Sequence, residues 1–150
     1  MKNLLAVIIL LFSSLALACD SHKEIKIKDS WVRPTMGGSH MTAAYMDIKN
    51  NCKEADVLYK VTSEQAGKIE LHKVVTDDKG VSQMVQIDKI VIPAKQEVKL
   101  SPKGLHIMLF DVKSNLVAGE EVKMTLYFEK IGAIKITVPV KNVNAVDAKQ

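Results

Sequence analysis

The sequence predicts an all-β chain folded as an antiparallel, Greek-key β-sandwich. Short runs alternate apolar and polar residues with the period of a half-buried strand. Gly, Pro, Asn and Asp break these runs at regular intervals. Beyond single turns around Ser63–Ala66 and Ser114–Ala118, no segment carries a helical period. With 150 residues, 47% of them hydrophobic and 25% charged, the chain has a globular composition and room for one domain.

The first segment reads as an address. One lysine precedes an apolar run from Leu4 to Phe12, and Ala16-Leu17-Ala18 follows as a small-residue cleavage signal. Residues 1–18 are therefore expected to be a removed signal peptide, and 19–150 the exported domain. Cys19 follows the cut and makes a weak lipobox, so the mature chain is either free or tethered through a lipid on Cys19. In an oxidising compartment Cys19 has a third option, a disulfide with Cys52.

The strands are predicted in order. Ile25–Lys28 alternates apolar and charged, and a turn-rich stretch with Gly37-Gly38 follows Trp31-Val32-Arg33-Pro34. Ala43–Lys49 ends at Asn50-Asn51, and Ala55–Val61 is the next run. Ile69–Thr76 and Val81–Ile87 flank Asp77-Asp78-Lys79-Gly80 as a hairpin. Ile90–Ile92 stops at Pro93, and Val98–Leu100 stops at Ser101-Pro102. Leu105–Val112 is rich in bulky apolar residues, and Val122–Glu129 with Ala133–Val140 forms a last hairpin. About nine short strands result, with a polar, frayed tail from 142 to 150.

Charge and motifs exclude several functions. The net charge is +4, the lysines are scattered singly, and Arg33 is the only arginine. Nucleic-acid binding needs clustered cations and forked guanidinium donors, so no nucleic-acid partner is expected. There is no G-x-S-x-G, no H-E-x-x-H and no phosphate-binding glycine loop, and an enzyme is not expected.

The informative residues are histidines and methionines. His106-Ile107-Met108 lies in a strand, where residues two apart share a face about 7 Å apart. An imidazole and a thioether then point the same way. His72 and Met84 occupy the two strands of the first hairpin. A three-residue loop, Asp77-Asp78-Lys79, pairs Thr76 with Gly80 and sets His72 directly opposite Met84. A four-residue loop instead opposes Met84 to Lys73. In the first register His72, Met84, His106 and Met108 make a set of two nitrogens and two sulfurs, without carboxylate or thiolate. Soft, neutral thioethers suit Cu(I) better than Zn²⁺, Mg²⁺ or Ca²⁺. A blue-copper electron carrier needs a Cys thiolate, and Cys52 sits in a polar turn without the other ligands nearby.

The spacing of these residues resembles the periplasmic copper chaperone family known as PCuAC. That family's motif is His, an optional Met, ten residues, Met, twenty-one residues and H-x-M. Here His72 is followed by Lys73 at the optional place, then Val74–Gln83, Met84, Val85–Leu105 and His106-Ile107-Met108. Ser30-Trp31-Val32-Arg33, Ile69-Glu70-Leu71-His72 and Ile92-Pro93-Ala94 also resemble the family. The resemblance spans Ile25–Val140. It implies a cupredoxin-like sandwich that carries Cu(I) in the periplasm. The implied recipient is the CuA centre in subunit II of cytochrome c oxidase, served together with a Sco-type thiol protein. A monomer is expected. The tail 142–150 has none of the His and Met with which relatives take up Cu(II). His40 and Met41 after the glycine turn are open candidates for outer ligands, and a cut after Cys19 would put His22 at mature position three, a place that favours square-planar Cu(II). The rival readings are an exported sandwich that binds no metal and a copper electron carrier.

Overall fold

The computed structural model describes residues 24–142. The signal segment, Cys19, His22 and most of the polar tail lie outside the described residues. Ten strands follow in chain order: β1 Ile25–Val32, β2 Thr42–Asn50, β3 Asp56–Thr62, β4 Ala66–Thr76, β5 Ser82–Ile87, β6 Ile90–Ile92, β7 Glu97–Leu100, β8 His106–Val112, β9 Glu121–Phe128 and β10 Gly132–Pro139. Every predicted strand is present, and the boundaries differ most at β1, which runs on through Trp31. One sheet has the order β1-β2-β8-β4-β5, with β7 also paired to β2; the other has β10-β9-β3-β6. All of these pairings are antiparallel. The result is the predicted Greek-key, cupredoxin-like sandwich.

The alternation in β8 decides where the core lies. Ile107 and Leu109 are fully buried between the sheets with Ala44, Met46, Leu71, Leu126 and Phe128. His106, Met108 and Phe110 therefore point to the outer face of the larger sheet. On that face Trp31, Ala43 and Tyr45 form a second, small cluster against which Met108 packs. Trp31 is buried and packs in this outer patch rather than in the main core.

The β4–β5 hairpin differs from the predicted register. Thr76 pairs with Ser82, His72 with Gln86 and Val74 with Met84. His72 is therefore not directly opposite Met84, and Lys73 is not either. The loop chemistry accounts for the shift. The Asp77 amide donates to the Val81 carbonyl at 3.0 Å, and the Gly80 amide to the Asp77 carbonyl at 3.0 Å. The Asp77 carboxylate also accepts from the Lys79 and Val81 amides, both at 2.9 Å. Asp77 thus pairs with Val81, and the loop is Asp78-Lys79-Gly80. Gly80 has φ +81°, the left-handed third position that only glycine adopts without strain. It sits inside the loop instead of after it. Because this moves the pairing by two, Met84 stays on the face of His72 but one pleat nearer the hairpin tip.

Candidate metal centre

Pairing between β4 and β8 brings the two histidines together. His72 opposes His106 directly, and their ring centroids are 5.7 Å apart. These strands are joined through β5, β6 and β7, so turn chemistry could not have shown the contact. Glu70 opposes Met108 in the next pair along. Met108 thus lies one pleat from the histidines on one side and Met84 one pleat on the other. Met108 is half-buried against Trp31, Ala43 and Tyr45, whereas Met84 on the edge strand β5 is 63% exposed. An unbranched thioether with that freedom can swing over its neighbours.

Each histidine is held in one tautomer by an acceptor that cannot donate. The His106 Nδ1 lies 3.0 Å from the Gly104 carbonyl oxygen, so Nδ1–H donates and Nε2 keeps its lone pair. The His72 Nε2 lies 2.8 Å from a Glu70 carboxylate oxygen, so Nε2–H donates and Nδ1 keeps its lone pair. The two remaining nitrogens, His72 Nδ1 and His106 Nε2, are buried and have no hydrogen-bond partner. A buried polar atom without a partner costs about 1–3 kcal/mol. Two unpartnered nitrogens in neighbouring rings are a pair that could serve as ligands to one electrophile.

Electrostatics agree with a neutral His106 imidazole. Burial pushes the His106 pKa below the ordinary histidine value, and nearby His72 and Arg33 push the same way. The Gly104 carbonyl opposes them in part. Hydrogen bonds from Lys68 and His72 hold the Glu70 carboxyl below the usual carboxylate range. The Arg33 guanidinium lies 5.8 Å over the Tyr45 ring, and Tyr45 in turn lies 6.3 Å from the His106 ring.

The donor set fits a soft ion. Among the described residues no three His, Cys, Asp or Glu side chains converge as a metal-holding group. Two imidazoles joined by thioethers would make a donor set that suits Cu(I). The structure pairs His72 with His106, with Met108 two residues along on the same face, and leaves Met84 on that face at the edge strand. His40 Nδ1 lies 3.2 Å from the Val112 carbonyl, and Met41 is exposed before β2. Cys52 is buried. Sequence reasoning missed Glu70, although Glu70-Leu71-His72 puts both on one strand face; scattered carboxylates beside lysines read as solvated surface.

Comparisons with known proteins agree with the fold. A solved structure, "Copper-bound PCuAC domain from PmoF2", matches with a TM-score of 0.68 and 28% identity, covering 79% of this chain and 93% of that one. "Solution structure of CuI-DR1885 from Deinococcus Radiodurans" shares the fold with a TM-score of 0.59 at 22% identity, covering 81% and 82%. "Putative lipoprotein Lxx21020" of Leifsonia xyli is 33% identical over 118 residues, 79% of this chain and 70% of its own length. The family model described as "Putative lipoprotein LpqE-like" matches residues 25–140. The chain belongs to the LpqE-like family, and its sandwich is that of the PCuAC domains.

Proposed function

We propose that this protein is an exported copper carrier that takes up one Cu(I) ion on His72, His106, Met108 and Met84 and hands it on. The observation that carries the reading is the pair of buried, unpartnered nitrogens, His72 Nδ1 and His106 Nε2, on adjoining strands. Met108 supplies a sulfur from within the packed patch, and Met84 closes over the ion from the exposed edge. An edge ligand that is easily withdrawn suits transfer better than storage. The copper-bound PCuAC neighbour supports the same cargo. The recipient, following the family resemblance, is the CuA centre in subunit II of cytochrome c oxidase, with a Sco-type protein alongside. The carrier acts in the periplasm as a monomer, either free or tethered through Cys19. It is a carrier, not an enzyme.

Anaerobic Cu(I) titration followed by native mass spectrometry tests this. One tightly bound Cu(I) is expected, with no comparable Zn²⁺ affinity. His72→Ala, Met84→Leu and Met108→Leu should weaken binding, and Met124→Leu, a core residue of the other sheet, should not. Equal binding by all four variants, or Zn²⁺ held as tightly as Cu(I), would refute the reading. Intense visible absorption from a copper–thiolate bond would favour an electron carrier instead.

A further inference from the structure

Glu70 occupies a place that a solvated carboxylate does not. Its side chain is only 10% exposed, on the outer face beside His72 and opposite Met108. One carboxylate oxygen is 2.5 Å from Lys68 Nζ, and the other is 2.8 Å from His72 Nε2. The lysine itself extends over the Phe110 ring at 5.6 Å. Lys68, Glu70 and His72 alternate along β4, so they share a face and form one polar chain along it.

Resting on the copper reading above, we propose that Glu70 is the positioning residue of the site. It selects the His72 tautomer that presents Nδ1 to the ion, and strengthens that nitrogen as a donor. A neutral imidazole carries one N–H, and a carboxylate can only accept. The Glu70 contact therefore places the proton on Nε2 and leaves the Nδ1 lone pair bare. Negative charge behind the ring makes the opposite nitrogen more basic, as carboxylates do behind metal-bound histidines. His106 reaches the complementary state by a neutral route, through the Gly104 carbonyl. The two histidines thus ligate through different ring nitrogens, Nδ1 in His72 and Nε2 in His106. Lys68 holds the carboxylate in place and keeps it from acting as a hard oxygen ligand itself.

The test combines two readouts on the full chain. Long-range proton–nitrogen spectra of the metal-free protein report which His72 nitrogen carries the proton. Competition with a chromophoric chelator reports Cu(I) affinity. The wild type should show His72 protonated at Nε2. In Glu70→Ala that preference should be lost, with Cu(I) affinity falling roughly 10- to 100-fold. Glu70→Gln still offers an acceptor oxygen but no charge, so it should keep the tautomer and recover part of the affinity. A carboxylate that merely stabilised the fold would change the unfolding temperature and leave the tautomer alone. If Glu70→Ala does not fold, Glu70→Gln decides, by a several-fold loss of affinity with the tautomer kept. His72 still protonated at Nε2 in Glu70→Ala, or wild-type affinity in both variants, would overturn the proposal. If the wild type binds no Cu(I), the copper reading fails by itself, while the tautomer comparison still decides what Glu70 does to His72.

Discussion

At the scale of single residues, burial and one carbonyl make His106 a neutral donor. Its pKa is depressed in the fold, chiefly by desolvation, so the unfolded chain binds a proton more readily. The stability this contributes is complete above about pH 6.5, the ordinary histidine value, and is lost as pH falls through the lower, folded value. Chemical denaturation of the metal-free protein should show stability declining as pH falls below about 6.5. His106→Gln should flatten that decline, and an unchanged slope would contradict it. The methionines divide by burial. Met84→Leu should leave apo stability within about 0.5 kcal/mol, because the side chain is exposed. Met108→Leu, packed on Trp31 and Tyr45, should cost less than about 1.5 kcal/mol. Thermal unfolding of the apo variants checks both. The four candidate ligands were readable from their spacing, since types and intervals are written in the chain. The role of Glu70 was not readable, because a carboxylate's partner depends on which groups the face finally gathers.

At the scale of elements, the β4–β5 hairpin shows what a turn can and cannot say. The glycine at position 80 announced a left-handed loop residue, and the structure has one there. Whether that residue ended the loop or followed it turned on Asp77, whose carboxylate caps two loop amides. The two alternatives differ by one pleat in where Met84 stands. Nothing lies within 4 Å of a Cβ built on Gly80, so a side chain there meets backbone strain alone. Gly80→Ala should cost about 1 kcal/mol or a little more, concentrated in the hairpin. Faster amide exchange in β5, with weaker Cu(I) binding than wild type, is the expected result. Unchanged exchange would show that the hairpin does not depend on this turn.

At the scale of the whole molecule, the outer site depends on two sheets held in place from the far end of β2. Asn50 is fully buried there, and its amide nitrogen donates to the Ile92 carbonyl at 3.0 Å and the Glu54 carbonyl at 2.9 Å. Its carbonyl oxygen accepts from the Cys52 amide at 2.8 Å. These bonds tie β2 of one sheet to β6 of the other. Asn50→Ala strands three backbone groups and should destabilise the fold by at least about 2 kcal/mol in denaturant titration. Below its melting transition the variant should still bind Cu(I) normally, since the site lies around Ala43 and Tyr45 at the other end of the strand. The sandwich class was legible from regular alternation and turns. The order of strands was not, because β4–β8 pairing joins segments distant in the chain, and that pairing is what makes the His72–His106 contact.

The proposed site holds one soft ion on two imidazoles and two thioethers. X-ray absorption at the copper edge of the protein loaded anaerobically with one Cu(I) tests it most directly. One Cu(I) surrounded by two histidine nitrogens and two sulfurs is expected, with one sulfur lost in Met84→Leu and one in Met108→Leu. A copper shell of nitrogen and oxygen without sulfur, unchanged in both variants, would contradict it.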